Sequence, residues 1–371
     1  MSVIDRAYKY RLLPTKEQEV FFQKSFGCCR KIWNLMLSDK IECYEKKNKY
    51  LKVTPAKYKS EYSYLKEVDS LALSNVQLDL ENAYKSFFKN KSGFPKFKSK
   101  HKDKNSYTTN NQNGTIEIFE KHIKLPKVGK VKIKKHRNIP DDAKLKSATI
   151  SQEKDGTYYV SCLVKIEVED KKSTIIDKTK VLALDYKSDG LYMDSNNHYC
   201  DMPHFYRESE DKLRKEQRKL SKKKKHSNNF IKQKKKVAKL QRHIANQRKD
   251  FLQKESTKIA NLYDLVAVET LNMNAIGNKK GYLGKATHDN GYGMFINMLD
   301  YKLSDRNKKL IKVDQYYPSS QICSKCGHKH KLKLHERTYK CQNCGTVIDR
   351  DYNAALNIKE EGIRIYDELV S

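Results

Sequence analysis

The amino-acid sequence predicts an α+β protein of several domains, and three observations lead to this prediction. The first half begins with an alternating strand, continues with helical segments and returns to period-two alternation between about 114 and 169. From residue 181 onward, short continuous apolar runs suit central strands that are buried on both faces. Two pairs of cysteines follow between 319 and 347. A length of 371 residues accommodates two to three domains.

The first half, residues 1–180, is predicted to form a β-barrel into which a helical lobe is inserted at about 15–105. Residues 3–12 alternate between apolar and polar side chains and predict a strand that ends before Pro14. The same alternation returns after the helical segments and predicts further strands near 115–119, 130–134, 146–152 and 157–167.

The inserted helical lobe is predicted from two helix-start signals. Thr15 and Gln18 form a capping box, and Ser74 and Gln77 repeat the pattern before the next helix. The segment 94–104 after that helix is basic and irregular. The buried face of the first helix is predicted to comprise Phe22, Phe26, Cys29, Trp33, Met36 and Leu37.

The second half is predicted to alternate strands and helices. Residues 181–184 predict a central strand, and a hairpin that turns at Ser195 follows it. Residues 205–260 predict two long helices joined at 221–229. The remaining elements are predicted to be a strand at 263–268, a mobile Gly- and Asn-rich loop at 274–293, a helix at 293–309, a strand at 310–314 and a helix from Tyr352.

A large excess of positive charge indicates a polyanionic partner. The chain has 77 Lys and Arg against 45 Asp and Glu, a formal net charge of +32, and self-repulsion of that size destabilises a compact protein. Nucleic acid is the first candidate. An anionic membrane is the second, but the basic residues are spread over the whole chain, and no apolar run approaches the roughly 18 residues of a membrane span. The N-terminus lacks a signal peptide's apolar centre, so we expect a cytoplasmic, nucleoid-associated protein without a membrane partner.

Four of the nine cysteines have the spacing of a metal site. Cys323 and Cys326 form one C-x-x-C pair, Cys341 and Cys344 form the other, and fourteen residues separate the pairs. Four thiolates in this arrangement complete a tetrahedron around Zn²⁺ and leave no open position, so the ion is expected to be structural. The remaining cysteines are scattered and are expected to be small core residues. His328, His330 and His335 are expected to be surface residues or phosphate contacts rather than ligands of the metal.

Three distant carboxylates are candidates for a catalytic site. Asp185 follows the first buried strand, Glu269 follows the strand at 263–268, and Asp351 precedes the last helix. Each alone is most simply a capping or turn residue, but the order of elements fits an RNase H-like nuclease core. Three converging acids need cations, and two Mg²⁺ about 3.5–4 Å apart supply them and clamp a scissile phosphate. The core is predicted at 181–318 and 348–371, with a helical hairpin at 205–260 and a zinc ribbon at 319–347.

Several tracts carry a resemblance to one family. Over nearly its full length the chain resembles the TnpB (OrfB) family, whose members are RNA-guided nucleases encoded by insertion sequences. This family is similar to the smaller type V CRISPR effectors. The matching tracts are YKYRLLPTKEQ (8–18), FFKNKSGFPKFKSK (87–100), KLPKVGKVKI (124–133), KEQRKLSKKKKHSNN (215–229), VAVETLNM (266–273), MLDYKLSDRNKKLIKVDQYYPSSQICSKCG (298–327) and DRDYNAALNI (349–358).

The resemblance implies a function and a set of cofactors. It implies a wedge-like barrel with a helical recognition lobe, a RuvC-type nuclease with a zinc-binding region, and Mg²⁺-dependent cutting of double-stranded DNA beside a short motif. It also implies a guide RNA transcribed from the element's own end. The family's nuclease acids fall on Asp185, Glu269 and Asp351, the last because Asn353 completes the pattern Asp-x-Asn. Most members have Asp-x-Gly at the first acid, whereas Tyr186 and Lys187 follow Asp185 here, and a lysine so placed competes with metal or contacts phosphate.

Two basic tracts are candidates for nucleic-acid contact, although a charge run is most often a solvated surface. An enzyme that holds an RNA–DNA hybrid grips the backbone without reading sequence, which favours contact at the tip of the helical hairpin. In the tract at 94–100, phenylalanines alternate with lysines, so the rings suit either stacking on bases or burial in a core. The candidate residues are Lys222, Lys223, Lys224, Lys225, Lys234 and Lys235 in the hairpin, and Lys96 and Lys98 in the second tract.

Two other functions remain open from the sequence. One is a nuclease-inactive, RNA-guided DNA-binding regulator of transposition or transcription, which the three retained acids argue against. The other is a transposase that joins DNA strands directly, although no tyrosine lies in a His-hydrophobic-His setting. The glycine-rich loop at 274–293 follows Glu269 closely and is either a gate to the site or a plain connector.

Overall fold

The computed structural model describes residues 2–90, 92–168, 176–278, 283–333 and 335–371. The chain forms two compact units, Met1–Asp170 and Lys171–Ser371, and both contain helices and strands, as the α+β prediction requires. None of the helices in the described ranges combines the length and the apolar character that crossing a membrane requires. The finer domain boundaries stay predictions.

The first unit is organised around a seven-stranded sheet in which all described pairs are antiparallel. The strand order is β2-β6-β7-β1-β5-β4-β3. This order is linear, with β2 and β3 at its edges, so the closure of the sheet into a barrel stays a prediction. The strands are β1 (Ser2–Leu13), β2 (Asn105–Asn110), β3 (Glu117–Ile118), β4 (His122–Leu125), β5 (Gly129–Lys134), β6 (Lys144–Gln152) and β7 (Tyr158–Val168).

Two helices, α1 (Lys16–Lys47) and α2 (Ser70–Asn90), follow β1 in the chain and precede β2. The capping box at the start of α1 is confirmed: the Thr15 side chain accepts from the backbone of Gln18, and the Gln18 side chain accepts from the backbone of Thr15. The predicted apolar face of α1 is buried in full. Short 3₁₀ turns at Pro55–Lys59 and Ser63–Lys66 connect the two helices.

The predicted start of α2 is wrong. The helix begins at Ser70, one turn before Ser74. The carboxylate of Asp69 accepts a hydrogen bond from the backbone N–H of Leu71 at 3.1 Å, while the Ser74 hydroxyl donates to the carbonyl of Ser70 at 3.1 Å. A serine inside a helix can satisfy its hydroxyl in this way on the preceding turn, so the Ser-x-x-Gln pattern does not by itself mark a helix start.

Two strands of the first unit, β2 and β4, were not predicted. β2 reads NSYTTN and has only two buried side chains, Tyr107 and Thr109. Its composition is mostly polar, so it lacks the alternation of apolar and polar side chains that predicts a strand. It is a strand because it pairs with β6. The buried aromatic core of this unit includes Tyr107, whose ring contacts those of Phe22 and Phe26.

The second unit contains a five-stranded mixed sheet of order β10-β9-β8-β11-β12. β11 runs parallel to both β8 and β12, whereas β9 is antiparallel to β8 and to β10. The predicted central strand and hairpin are confirmed. The strands are β8 (Val181–Tyr186), β9 (Tyr192–Asp194), β10 (Tyr199–Cys200), β11 (Leu265–Glu269) and β12 (Lys309–Val313), and a separate pair comprises β13 (Thr338–Lys340) and β14 (Val347–Asp349).

Two long helices, α3 (Phe205–Ser221) and α4 (Asn228–Leu262), form the predicted hairpin between β10 and β11. The Ser227 side chain accepts from the backbone N–H of Phe230 at 3.1 Å and caps α4. The buried residues of this hairpin include Leu213 on α3 and Val237 and Ile244 on α4.

The prediction of a loop at 274–293 is wrong for most of its length. The segment contains α5 (Met273–Asn278) and α6 (Leu283–Asn290), and α7 (Tyr292–Asp305) begins within it; residues 279–282 lie outside the described residues. The Asn272 side chain caps α5 by accepting from Ala275 N at 3.0 Å. Gly291, with φ +64°, lies between α6 and α7 and is the N-cap of α7. This glycine therefore marks a boundary between two helices and does not indicate a loop.

The last helix, α8 (Arg350–Val370), packs against β8, β11 and β12. It begins two residues before the predicted Tyr352, because the Asp349 carboxylate accepts from the backbone N–H groups of Asp351 and Tyr352. Gly362 allows the close approach to the sheet: a Cβ atom there would lie 2.4 Å from the Cβ of Ala267 on β11.

Replacing Gly362 by Ala is expected to lower the thermal unfolding midpoint. Alanine normally stabilises a helix by about 1 kcal/mol relative to glycine, but the added methyl group must push α8 away from β11, and overpacking costs about 1–3 kcal/mol. Gly27 in α1 is the matched control, because nothing lies within 4 Å of the methyl group that Gly27→Ala adds. Calorimetry of both variants checks this; an equal or raised midpoint for Gly362→Ala would show that α8 does not need the close approach.

Candidate active site and cysteine cluster

The three predicted acids lie at one edge of the five-stranded sheet. Asp185 is the fifth residue of β8 and Glu269 the last residue of β11. The parallel register pairs Leu184 with Val268, so the two acids that follow are neighbours at the carboxyl ends of adjacent strands. Asp351 lies in the first turn of α8, the helix that packs on these strands.

The pKa values of the first two acids are raised. Burial raises the pKa of Asp185 well above its usual range, and the charges of Glu269 and Asp351 add to this effect. Burial also raises the pKa of Glu269, although the hydrogen bond that the Ser319 hydroxyl donates to Glu269 acts in the opposite direction. A divalent cation relieves the repulsion between carboxylates that lie near one another and away from water.

Asp351 differs because cations already contact it. Burial raises its pKa, but the hydrogen bond and charge of Lys187 and the charge of Arg350 outweigh burial, and the pKa of Asp351 is lowered. Lys187 Nζ lies 2.9 Å from Asp351 Oδ2, and Arg350 Nη2 lies 3.1 Å from Oδ1. Beside these groups is a cavity of about 300 Å³, lined by Tyr186, Lys187, Ser188, Asp189, Ile276, Arg337, Arg350 and Asp351.

Tyr292, which the sequence analysis missed, lies next to the acids. Its side chain is 2 % exposed, and its hydroxyl is buried without a hydrogen-bond partner among the described residues. Burial raises its pKa, and the charges of Asp185 and Glu269 raise it further. An unsatisfied buried hydroxyl beside carboxylates fits a site that a hydrated cation completes. Nothing in the local sequence GYGMF distinguishes this tyrosine from a core residue.

Two asparagines on α8 tie the helix to the first cysteine pair. Asn353 accepts from the backbone of Ser324 at 3.0 Å and donates to the carbonyl of Ile322 at 2.7 Å. Asn357, one turn later, donates to the carbonyls of Ser319 and Ile322, both at 2.7 Å. The pattern Asp-x-Asn singled out Asn353, whereas Asn357 was missed although the spacing of four residues places it on the same helix face.

The four predicted cysteines converge. Among the described residues, they form the one set of three or more potential metal ligands whose donor atoms all lie within 4.8 Å of one another. Sγ of Cys323 lies 3.6 Å from that of Cys344, and Sγ of Cys326 lies 3.5 Å from that of Cys341. Thiolates around a tetrahedral Zn²⁺ with bonds of about 2.3 Å are about 3.8 Å apart, so the cluster suits zinc.

The backbone around the cysteines has the turns that such a site needs. Gly327 and Gly345 adopt φ of +73° and +69°, where a side chain is strained. Each donates its N–H to the carbonyl of the first cysteine of its pair, at 2.9 Å to Cys323 and 3.2 Å to Cys341. The three histidines of this region, as expected, are not part of the cluster.

The basic residues occupy two different environments. Those of the hairpin, Lys222 to Lys225 at the turn and Lys234 and Lys235 on α4, are exposed. In the other tract, Lys96 is exposed, but Lys98 is partly buried, with Nζ 3.7 Å from the centre of the Trp33 ring. Their contacts with nucleic acid stay predictions. Phe94 and Phe97 are 44 % and 57 % exposed, so neither is a fully buried core residue.

Family comparisons match three stretches of the chain. Residues 292–358, which include the cysteines and Asp351, match the family described as Cas12f1-like, TNB domain. Residues 162–279 match the family described as Probable transposase, and residues 1–49 match one described as Helix-turn-helix domain. Residues 1–49 form a strand followed by one long helix, β1 and α1, so the description as a helix-turn-helix domain does not fit their fold.

Whole-chain comparisons identify relatives over nearly the full length. A Streptomyces pristinaespiralis protein named "Putative RNA-guided DNA endonuclease" is 31% identical over 98% of this chain and 90% of its own. The similarly named InsQ of Escherichia coli (strain K12) is 29% identical over 96% of this chain and 92% of its own. Among solved structures, a Cas12f1–sgRNA–target DNA complex matches with a TM-score of 0.58 at 14% identity, over 96% of this chain and 99% of that one, which indicates a shared fold.

Proposed function

This chain belongs to the TnpB family, and from that premise we propose that it is a transposon-encoded, RNA-guided DNA endonuclease. The observation that carries the proposal is the placement of Asp185, Glu269 and Asp351 at one edge of a mixed sheet, where their charges act on one another although they come from three distant segments. Full-length similarity to proteins named as RNA-guided DNA endonucleases supports the same conclusion.

We assign the second unit to an RNase H-like, RuvC-type nuclease core. The support is a five-stranded sheet in which three parallel strands, β8, β11 and β12, are extended by an antiparallel hairpin. In this assignment the helical hairpin α3–α4 and the cysteine region are insertions into the core. The first unit then corresponds to the wedge barrel with its helical recognition lobe.

Asp185, Glu269 and Asp351 are the residues that would hold two Mg²⁺ ions. When bound, such ions activate a water and stabilise the leaving 3′ oxygen of a phosphodiester. Ser319 orients Glu269 by donating a hydrogen bond to its carboxylate. Arg337 and Arg350 line the adjoining cavity and provide positive charge for a DNA phosphate.

The proposed partners are a guide RNA and double-stranded target DNA. The guide is proposed to derive from the end of the chain's own mobile element, and the target to lie beside a short motif in the DNA. A net charge of +32 matches the polyanionic character of both partners. We place this activity in the cytoplasm, at the nucleoid, where the DNA is.

The exposed hairpin lysines are proposed to contact phosphates. Replacing Lys222 to Lys225 by Ala is expected to weaken binding to duplex DNA and to flatten its salt dependence, because each phosphate contact contributes about 0.9 to the slope of log affinity against log salt. Four lost contacts would reduce that slope by about 3.6. Fluorescence anisotropy at several salt concentrations measures it.

Two other lysines of the hairpin provide the control. Lys219 and Lys254 already pair with Glu216 at 2.7 Å and with Asp250 at 2.6 Å, so replacing them by Ala is expected to change the slope little. An unchanged slope in the Lys222–Lys225 variant would identify the turn as a solvated surface.

The function itself is tested by expressing the chain with the DNA that flanks its gene and sequencing the RNA that co-purifies. A single enriched RNA that overlaps the 3′ end of the gene, followed by Mg²⁺-dependent cutting of a matching DNA, is the expected result. Guided binding without cutting would instead identify a nuclease-inactive regulator. Joined rather than cut DNA products would identify a strand-transfer transposase.

A further inference from the structure

Lys187 is held in place from both sides of its backbone. Its N–H donates to the carbonyl of Leu191 at 3.3 Å, and its carbonyl accepts from the side-chain amide of Asn290 at 3.2 Å. Its Nζ lies 5.0 Å from the centre of the Tyr199 ring, within the range of a cation–π contact. The side chain is only 18% exposed. The ammonium group is therefore directed at one place, Asp351 Oδ2.

Both oxygens of Asp351 are engaged by protein cations. Lys187 Nζ contacts Oδ2 at 2.9 Å, while Nε and Nη2 of Arg350 contact Oδ1 at 3.2 and 3.1 Å. The side chain of Asp351 is 11% exposed. An ion pair this far from solvent is screened less than a surface pair.

Glu269 accepts instead from the neutral Ser319 hydroxyl. The charges of Lys187 and Arg350 lower the pKa of Asp185 less than burial and the other two acids raise it. Within the described ranges, the compact ligand set is the four cysteines and does not include the three acids. Lys187 and Arg350 act on Asp185 as well, but the carboxylate that both contact directly is that of Asp351.

We propose that Lys187 is a built-in counter-ion that occupies Asp351 and competes with a divalent cation for it. The inference rests on the proposed function, in which the same three acids bind the catalytic metal. A divalent cation that uses Oδ2 must displace the ammonium group, so Lys187 lowers the metal affinity of the free protein. The displaced ammonium would then lie beside the cavity lined by Ser188, Arg337 and Arg350, where a DNA phosphate can receive it.

The test measures Mn²⁺ binding to the full chain, freed of nucleic acid, by electron paramagnetic resonance and calorimetry. Lys187→Met keeps the length of the side chain and removes the charge, and it is expected to tighten Mn²⁺ binding by about tenfold or more, since the competing cation is gone. Lys187→Arg keeps the charge and is expected to retain the affinity of the unmodified chain.

Two controls separate competition from a general effect on folding. Lys180 precedes the same strand at its other end and is 57% exposed, so Lys180→Met is expected to leave Mn²⁺ affinity unchanged. In an Asp351→Asn background, Lys187→Met is expected to have no further effect, because the contested carboxylate is gone. Thermal unfolding of each variant verifies that it is folded.

The proposal is overturned if Lys187→Met leaves Mn²⁺ affinity unchanged or weakens it, if neither chain binds Mn²⁺, or if the effect persists in the Asp351→Asn background. These measurements need neither guide nor target. A chain that shows the competition but cuts no DNA would contradict the proposed function alone, whereas a guided nuclease without the competition would contradict this inference alone.

Discussion

Asp185→Asn is expected to abolish guided DNA cleavage, with a loss on the order of 10³-fold or more, while RNA binding and guided DNA binding persist. The substitution keeps the shape of the side chain and removes the charge that a divalent cation needs. It also removes a carboxylate that burial and the charges of Glu269 and Asp351 disfavour, as the raised pKa of Asp185 indicates. We therefore expect the variant to be at least as stable as the unmodified chain.

Cleavage of a matched DNA under single-turnover conditions, together with thermal unfolding, measures both effects, and Glu269→Gln is expected to behave in the same way. Asp264 provides the matched control: it precedes β11 at the end opposite Glu269 and pairs with Lys308 at 3.2 Å. Asp264→Asn is expected to cut DNA normally. Full cleavage by Asp185→Asn or Glu269→Gln would refute the assignment of the catalytic acids.

Preventing zinc binding at the cysteine cluster is expected to abolish cleavage as well. Structural zinc sites contribute on the order of 10–16 kcal/mol to folding, and among the described residues of the segment 319–347 the buried apolar cluster is small and comprises Cys323, Tyr339 and Cys341. The backbone of this segment is hydrogen-bonded to Asn353 and Asn357 on α8, directly after Asp351. Unfolding of the segment therefore removes the contacts that hold the third acid in place.

The measurement combines zinc content by mass spectrometry with cleavage. The double variant Cys341→Ser, Cys344→Ser is expected to lose one zinc ion per chain and its cleavage. Cys43→Ser changes a partly buried cysteine outside the cluster and is expected to keep both. A zinc-free double variant that still cuts at the full rate would show that the cluster does not support the active site.

The sequence was sufficient where chemistry is local. A buried strand followed by an acid correctly placed Asp185 and Glu269 at strand ends, and two C-x-x-C pairs correctly brought the four cysteines together, because both signals lie within a few residues of the chain. Contacts between distant segments were not visible in this way. Ser319 reaches Glu269 from fifty residues away, and Tyr292 resembles any core tyrosine in sequence.

The wrong predictions have the same origin. Glycines and asparagines at 274–293 favour a loop by local propensity. The helical segment that forms there instead makes tertiary contacts, one of which is the ion pair between Arg248 on α4 and Asp289 on α6, at 2.7 Å. β2 is polar and is a strand only because β6 pairs with it. Lys187 was recognised as near the acids, but its hydrogen bond to Asp351 depends on α8, which lies more than 160 residues later in the chain.

The position of Asp351 has a consequence for synthesis on the ribosome. The first two acids are on β8 and β11, but the third arrives only with α8, after the cysteine segment. A nascent or prematurely terminated chain that lacks α8 has the whole first unit and the helical hairpin, yet has two of the three acids. Such a fragment would lack Asp351, so the proposed catalytic site is completed only when α8 has been made, after both other acids and the cysteine segment.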